Sequence, residues 1–337
     1  MKINLKEIAK MAGVSITTVS RVYNNKANGK MNKKTYNRVK KIIEITGYSP
    51  NPLASALRNG LTKLIAIIIP NGINPYYSQL SYNIENEAYK IGYLTLVCNS
   101  DSNIAREKKY ISILKKHKVC GILLCSAGLM SREIETLLKL EGEIKIVLLD
   151  EEINGFKGNI VLGNDYCGGY MAAEYLYNLG HKNIIIILGP KKLISTQKRL
   201  KGFLGFFSEI NIEYDKNLII EGNYSIDSAS NELQSMIKKK KSFTAIFSLN
   251  DLMAIGAIQT LRENDIKVPD EVSVLGYDNI YLDQFFSPKI TTIAPPLDKL
   301  SKIAVGKIIQ SNKNAESNKK RCLIMPTVIE RESCKKI

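Results

Sequence analysis

Polar side chains follow several apolar runs of this chain, at the points where those runs end. Five of them are aspartate, asparagine or serine, and Arg199 lies near the start of a helical stretch. An arginine fork and carboxylates suit a ring that carries several hydroxyl groups, since each hydroxyl both donates and accepts. Capping of helices by the same residue types is the alternative. The polar residues that follow apolar runs are Asp101, Ser126, Asp150, Asn250 and Asp278.

Residue types needed for catalysis are scarce. The chain has two histidines, His117 and His181, and its six cysteines show no CxxC spacing, so a histidine-based metal site is not expected. No GxxxxGKS or GxxxxGKT segment occurs, no GxGxxG follows a strand, and the glycines of NDYCGGY have the wrong spacing. The sequence therefore favours a binding protein without metal or cofactor over an enzyme.

The distribution of apolar residues favours a cytoplasmic location. Residues 1–20 lack the basic-then-apolar pattern of a signal peptide, and no apolar run has membrane-spanning length. Most cysteines lie in apolar runs, as is typical of buried, reduced thiols. We therefore expect a cytoplasmic protein without a membrane partner.

From residue 61 onward, apolar runs alternate with amphipathic stretches. This β-α alternation predicts parallel sheets covered by helices, and the length of the segment is enough for two lobes. In α/β sheets, ligands bind at the carboxyl ends of strands, here in a cleft between the lobes. The predicted strands are residues 64–69, 93–98, 121–125, 144–149, 184–189, 245–248 and 272–276.

Positive charge is concentrated near the N-terminus. Residues 1–60 contain twelve lysines and arginines but only two acidic residues, Glu7 and Glu44, whereas residues 61–337 contain 36 basic and 30 acidic residues. The net charge of the whole chain is +16. This distribution favours nucleic-acid contact at the N-terminal end over a merely solvated surface.

The N-terminal residues have the pattern of two short helices joined by a tight turn. Asn4 and Glu7 are spaced as a capping box, Gly13 permits the turn, and Ser15 can cap the second helix. A third helix is predicted at residues 33–46. The pattern predicts an all-α helix-turn-helix domain whose second helix enters the DNA major groove. A plain helical hairpin is the alternative.

Side chains near the start of the second helix would meet base edges. Ile16 suits a thymine methyl group, the hydroxyls of Thr17 and Thr18 can hydrogen-bond to a base, and Arg21 can hold a guanine through two hydrogen bonds. Serines beside them are better placed for phosphate oxygens. These predicted phosphate contacts are Ser15 and Ser20.

A linker, residues 48–60, follows the third helix. Pro50 and Pro52 prevent a long helix, and a short one at residues 53–58 would be marginal by itself. A helix that orders on binding, with small Ala54 and apolar Leu57, suits a wedge into the minor groove. A simple interdomain linker is the alternative, and both functions are compatible.

Characteristic segments occur in one fixed order along nearly the whole chain. They begin with IAKMAGVSITTVSRVYNNK and GYSPNPLASALR, continue through RLKGF, FTAIFSLNDLMAIGAI and VPDEVSVLGYDN, and end with MPTVIERES. In this order they resemble the lactose repressor (LacI/GalR) family of bacterial transcription factors. The resemblance implies a helix-turn-helix domain at residues 1–47, a hinge at 48–60, and a two-lobed periplasmic-binding-protein-like domain at 61–337.

The resemblance also implies how the chain passes between the lobes. Three crossings are expected, near residues 162, 291 and 323. The implied first lobe comprises residues 61–161 and 291–322, and the implied second lobe comprises residues 162–290 and 323–337.

By the same resemblance, the protein is a homodimeric transcriptional regulator, usually a repressor, that binds a palindromic double-stranded operator. Leu57 would wedge into the central step of the operator, with Ala54 beside it in the minor groove. Because Ile16 and Thr17 differ from well-known members, the half-site cannot be copied from a relative. The set of expected DNA contacts is completed by Asn24 and Asn51.

The resemblance implies a small-molecule effector between the lobes. Arg199, Asn250 and Asp278 match positions that bind sugar hydroxyls or nucleobases in relatives, with Asn250 favoured over Asp251. A sugar or sugar derivative is therefore expected, with a purine or a phosphorylated partner protein as alternatives. A sugar-binding protein without DNA function is disfavoured by the basic N-terminal residues. The remaining expected effector contacts are Tyr76, Tyr77, Asp101, Ser126, Asp150 and Tyr224.

Overall fold

The computed structural model describes residues 3–23, 31–48, 62–126, 144–239, 242–309 and 320–337. The chain divides into two compact units, Met1–Thr62 and Lys63–Ile337. The smaller unit is helical and the larger one is α/β, as the sequence predicts. In none of the described ranges does a helix have the length and apolar character needed to cross a membrane.

Short helices make up the described part of the smaller unit. The predicted capping box forms, because the Asn4 side chain accepts from the Glu7 N–H while the Glu7 carboxylate accepts from the Asn4 N–H at 2.7 Å. Gly13 follows the first helix with a φ of 60°, in the left-handed region that favours glycine. The helices are α1 (Leu5–Ala12), α2 (Ile16–Tyr23) and α3 (Lys33–Thr46).

One small apolar core holds these helices together. Ile8 of α1, Val19 of α2 and Val39 of α3 are completely buried. Ala9 is also buried, and its small side chain lets α1 and α2 approach closely. The helix-turn-helix prediction is thereby confirmed, with α2 as its second helix.

The first lobe of the larger unit contains a six-stranded sheet over the described residues, with the order β11-β5-β4-β3-β1-β2 and parallel pairing throughout. Strand β1, which lies next to the edge strand β2, has the sequence LIAIII and is buried on both faces, as is typical of parallel sheets. The strands are β1 (Leu64–Ile69), β2 (Leu94–Asn99), β3 (Gly121–Leu124), β4 (Lys145–Leu149), β5 (Asn159–Gly163) and β11 (Arg321–Ile324).

The second lobe contains the other six-stranded sheet of the described residues, with the order β12-β10-β9-β8-β6-β7. All pairs are parallel except β12 with β10. The strands are β6 (Ile184–Ile187), β7 (Ile219–Ile220), β8 (Ala245–Ser248), β9 (Ser273–Tyr277), β10 (Thr291–Ala294) and β12 (Thr327–Ile329).

Helices cover both sheets, as expected for crossover connections between parallel strands. In the first lobe they are α4 (Pro75–Lys90), α5 (Ile104–Lys116) and α10 (Leu297–Ile309). In the second lobe they are α6 (Asp165–Asn178), α7 (Ile194–Glu209), α8 (Ile226–Lys238) and α9 (Asp251–Glu263), with short 3-10 helices at Lys216–Leu218 and Tyr281–Gln284.

Strand pairing places the three crossings between the lobes within three residues of the expected positions 162, 291 and 323. Strand β10 begins at Thr291 and pairs with β9, so it belongs to the second lobe and the crossing follows Ala294 rather than residue 291. Strand β11 continues to Ile324 and pairs with β5, so the last crossing follows Ile324 rather than residue 323. The first crossing follows Gly163, one residue beyond the expected position. The lobe to which a strand belongs depends on the strand with which it pairs. The apolar pattern of the sequence does not show that pairing.

Candidate nucleic-acid interface and ligand cleft

Helix α2 presents a polar face on the side opposite its buried valines. Ile16, Thr17 and Arg21 are exposed, with Ile16 showing 41% of its surface. An exposed isoleucine at the start of a helix is available to an apolar group such as a thymine methyl. The expected base-reading residues therefore share one accessible face of the smaller unit.

A hydroxyl cluster forms at the N-terminus of α2. The Ser15 hydroxyl accepts from the Thr18 N–H at 3.2 Å and lies 2.7 Å from the Thr17 hydroxyl and 2.9 Å from the Thr18 hydroxyl. Ser15 thus caps the helix, as predicted, and orients both threonines. Thr18 and Ser20 are half-buried. The other expected DNA contacts, Asn24, Asn51, Ala54 and Leu57, lie outside the described residues.

A cavity of about 220 Å³ lies between the two lobes of the larger unit. All the expected effector contacts line it except Asp101, which is exposed and ion-paired with Arg106 at 3.6 Å. The neighbouring Ser102 lines the cavity instead, because the chain turns here with φ values of 57° and 51°. The first lobe supplies Tyr76, Tyr77, Ser126 and Asp150, and the second supplies Arg199, Tyr224, Asn250 and Asp278.

Arg199 is a buried residue of the cavity lining, and neighbouring groups of the protein hold its guanidinium. Its Nε donates to Asp165 Oδ1 at 2.8 Å, and its Nη1 donates to the Leu249 carbonyl at 2.7 Å. The same Nη1 lies 3.8 Å from Asp278 Oδ1, and the guanidinium lies 3.6 Å above the Tyr277 ring. Burial alone would lower the pKa of Arg199, but the Asp165 charge raises it, so the guanidinium stays protonated.

Close packing of α6 against α7 brings Arg199 to Asp165. A Cβ atom on Gly169 would lie 1.9 Å from the Arg199 carbonyl oxygen, and one on Gly202 would lie 1.9 Å from the Tyr166 carbonyl oxygen. Only glycine permits this backbone approach at both positions. The spacing of these glycines therefore positions the arginine.

Asp150 accepts from the two tyrosines of α4. The Tyr76 hydroxyl donates to Oδ1 at 2.5 Å and the Tyr77 hydroxyl donates to Oδ2 at 3.0 Å. Burial raises the pKa of Asp150, while both hydrogen bonds act to lower it. The two rings meet edge to face with centroids 5.1 Å apart. Together the three side chains form a polar and aromatic wall of the first lobe.

Asn250 and Asp251 of the SLND segment have different surroundings. Asn250 caps α9 by accepting from the Met253 N–H at 2.9 Å, and it lines the cavity. Asp251 points away from the cavity, where it accepts from the Thr292 hydroxyl at 2.7 Å and the Ile280 N–H at 3.1 Å. Its position agrees with the expected preference for Asn250 as the cleft residue.

Sequence reasoning missed several residues of the cleft. Glu151 is buried in its wall directly after Asp150, and Ser195 lies opposite it on α7. Asp165, the first residue of α6, fixes Arg199 from outside the cavity lining. The run of three acidic residues in VLLDEE was the available signal for Glu151. The further unpredicted lining residues include Asn71, Asn74, Ser102, Lys192 and Asn223.

Each of the two units matches a known protein family. Residues 4–51 match the family described as bacterial regulatory proteins, lacI family, and residues 173–334 match the periplasmic binding protein-like domain. Over 335 residues, 99% of this chain and 98% of the relative, the sequence is 35% identical to HTH-type transcriptional regulator DegA of Bacillus subtilis (strain 168).

Solved structures agree in fold. The lac repressor dimer bound to operator and the anti-inducer ONPF gives a TM-score of 0.87 at 24% identity, covering 99% of this chain and 100% of that chain. A LacI family transcriptional regulator from Enterococcus faecium with bound ribose gives a TM-score of 0.72 at 26% identity, covering 81% of this chain and 99% of that chain. This chain therefore belongs to the lacI family of bacterial regulatory proteins, and it is a DNA-binding transcriptional regulator rather than an enzyme.

Proposed function

We propose that this regulator acts in the cytoplasm as a homodimeric repressor of a palindromic operator, and that a small polyhydroxy ligand in the cleft controls its affinity for DNA. The observation that carries the proposal is the set of polar and aromatic side chains that both lobes bring to one cavity. A ligand that contacts both lobes favours one arrangement of them, and operator binding is then linked to that arrangement.

The size and lining of the cavity support a ligand as small as one sugar ring. Its volume of about 220 Å³ is below the roughly 300–1,000 Å³ of sites for drug-sized ligands. Carboxylates, an amide and tyrosine rings offer both hydrogen bonds and flat apolar surface to a sugar. The ribose-bound Enterococcus faecium relative supports the same class of ligand.

An exposed apolar face supports self-association. Tyr82 and Tyr89 on α4 expose 65% and 76% of their surfaces, and Leu94 on the edge strand β2 exposes 68%. Tyr281 and Phe285 add an exposed aromatic pair in the second lobe, with centroids 4.8 Å apart. Exposed aromatic residues of this kind are enriched at interfaces between proteins. We propose that a second copy covers them, as the lac repressor structure is itself a dimer.

A thermal-shift screen against sugars, sugar phosphates and purines tests the ligand class. We expect a sugar to raise the melting temperature, since about a hundredfold excess over Kd adds about 2.7 kcal/mol of stability. Asp278→Asn should abolish that shift, because Asp278 lines the cavity beside Arg199. A purine hit would support the purine alternative, and a response only to a phosphorylated protein would support a protein corepressor. A sugar shift unchanged in the Asp278 variant would place the site elsewhere.

Arg21→Ala tests the DNA face. Selection from random duplexes first defines the operator, and mobility-shift titration then measures affinity. Loss of a bidentate guanine contact should weaken operator binding by about 1–3 kcal/mol, roughly 5- to 150-fold, and relax preference at one base pair. The matched control is Lys40→Ala on α3, which removes one exposed positive charge from the same unit. Equal losses in both variants, with no change in base preference, would contradict base reading by Arg21.

A further inference from the structure

The carboxylate of Glu151 occupies the N-terminus of α7 from across the cleft. Glu151 follows β4 in the first lobe, whereas α7 belongs to the second. Its Oε1 accepts from the Ile194 N–H at 2.9 Å and the Ser195 N–H at 3.2 Å, and its Oε2 accepts from the Ser195 hydroxyl at 2.5 Å. The residue before the helix, Leu193, provides no side-chain cap. Glu151 therefore supplies the negative charge that a helix N-terminus attracts.

The remaining charges of the cleft also disfavour an anion. Of the described residues that line the cavity, the acidic ones are Asp150, Glu151 and Asp278, and the basic ones are Lys192 and Arg199. Arg199 is already engaged by Asp165 and by Asp278, and Lys192 is exposed to solvent. A ligand anion would thus meet three acidic side chains, while Arg199, the buried cation, is already paired with the protein's own acidic groups.

We infer that Glu151 determines the charge class of the effector, acting as a built-in anion that restricts the cleft to uncharged polyhydroxy ligands and excludes their phosphate esters. The inference rests on the proposed role of the cleft as the effector site. A phosphate group seeks the donors that Glu151 holds, namely two backbone N–H groups and one hydroxyl at a helix N-terminus. While the carboxylate remains there, phosphate meets its negative charge, and these three donors are occupied.

Inorganic phosphate is the direct probe of this exclusion. Burial raises the pKa of Glu151 to about 7, so measurements at about pH 8 keep it largely ionised. Phosphate is titrated against wild type and Glu151→Ala while the melting temperature is followed, with sodium chloride matching the ionic strength. The alanine variant should show saturable phosphate binding at least about tenfold tighter than wild type, because three donors become free.

Glu152→Ala is the matched control. Glu152 is the next residue, lies outside the cavity lining, and pairs with Lys198 of α7 and with Arg321 of β11, whose Nη2 donates to it at 2.8 Å. Its removal takes away the same charge and also breaks a contact between the lobes. Phosphate affinity should nevertheless remain at the wild-type value. An equal gain in both alanine variants would show that general charge, and not the position of Glu151, governs phosphate binding.

Glu151→Gln is a second variant in case the alanine variant folds poorly. Its amide oxygen can still accept from the N–H groups at the start of α7. It should bind phosphate more tightly than wild type and more weakly than the alanine variant. The inference is wrong if wild type binds phosphate as tightly as the two Glu151 variants, or if neither variant gains affinity. Operator binding of the same proteins is measured in parallel, so a failure of the DNA-binding proposal remains separate from a failure of the phosphate test.

Discussion

Replacing Arg199 with alanine should lower the free energy of unfolding of the larger unit by about 3–5 kcal/mol, as when one partner of a buried ion pair is removed. The guanidinium is buried, donates to Asp165 and the Leu249 carbonyl, and lies beside Asp278. Alanine leaves two buried carboxylates without their cation. We also expect the variant to lose any response to the effector, because both Arg199 and Asp278 line the cavity.

Urea unfolding followed by far-ultraviolet circular dichroism measures this loss, since the chain has no tryptophan for fluorescence. Lys198→Ala is the matched control on the same helix. Its side chain is one-third exposed and pairs with Glu152, so its removal should cost less than about 1 kcal/mol. If the Arg199 variant is no less stable than the Lys198 variant, the carboxylates do not depend on the guanidinium.

Asp283→Asn should make the protein more stable than wild type at about pH 8. Asp283 and Asp251 are both fully buried and their carboxyl groups interact. Neither oxygen of Asp283 has a hydrogen-bond donor among the described residues, and Arg331 Nη1 approaches only to 3.9 Å. Burial raises the pKa of Asp283 to about 7 and the pKa of Asp251 well above its usual range. With both pKa values raised, we expect the pair to share one proton at lower pH.

The direction of the pH effect follows from that raised pKa. An aspartate in the unfolded chain titrates near pH 3.9, so the stabilising proton is fully present below that pH and is lost as the pH rises through about 7. Because one pKa unit corresponds to about 1.4 kcal/mol, wild type should lose on the order of 2–4 kcal/mol relative to the asparagine variant over this range. The asparagine amide can donate at every pH, so the variant lacks the contribution of Asp283 to the pH dependence.

Unfolding free energies of wild type and variant between about pH 4 and pH 8 measure the effect as a difference, which cancels groups common to both. Asp270→Asn is the control, since Asp270 is exposed and its ion pair with Lys335 lowers its pKa. That variant should not gain stability at high pH. Parallel pH profiles for wild type and the Asp283 variant would rule out the shared proton.

Much of the fold could be predicted because its signals are local. The capping box of Asn4 and Glu7 and the turn at Gly13 involve residues a few positions apart, and both appear in the structure. The predicted strands agree with the observed ones to within two residues, because continuous apolar runs mark strands buried on both faces. Strand β7 was not predicted, since its two residues carry too little pattern.

The cleft was predictable only in part. Polar residues at strand ends identified four of its lining residues, Ser126, Asp150, Asn250 and Asp278, because parallel strands bring their carboxyl ends to one edge. The same rule wrongly included Asp101, where a local turn presents Ser102 instead. It also gave no indication that Asp165 would fix Arg199, since that contact depends on how closely α6 packs against α7.

The sequence by itself determined the family, the order of helices and strands, and the residue types available to DNA and ligand. These follow from side-chain periodicity, caps and motifs, which act over short stretches of chain. Only the tertiary structure decided which polar groups meet. Glu151 with Ser195, Asp165 with Arg199, and Asp251 with Thr292 are separated by 44, 34 and 41 positions. Packing of the lobes and their helices brings these residues together, and no local pattern encodes those distances.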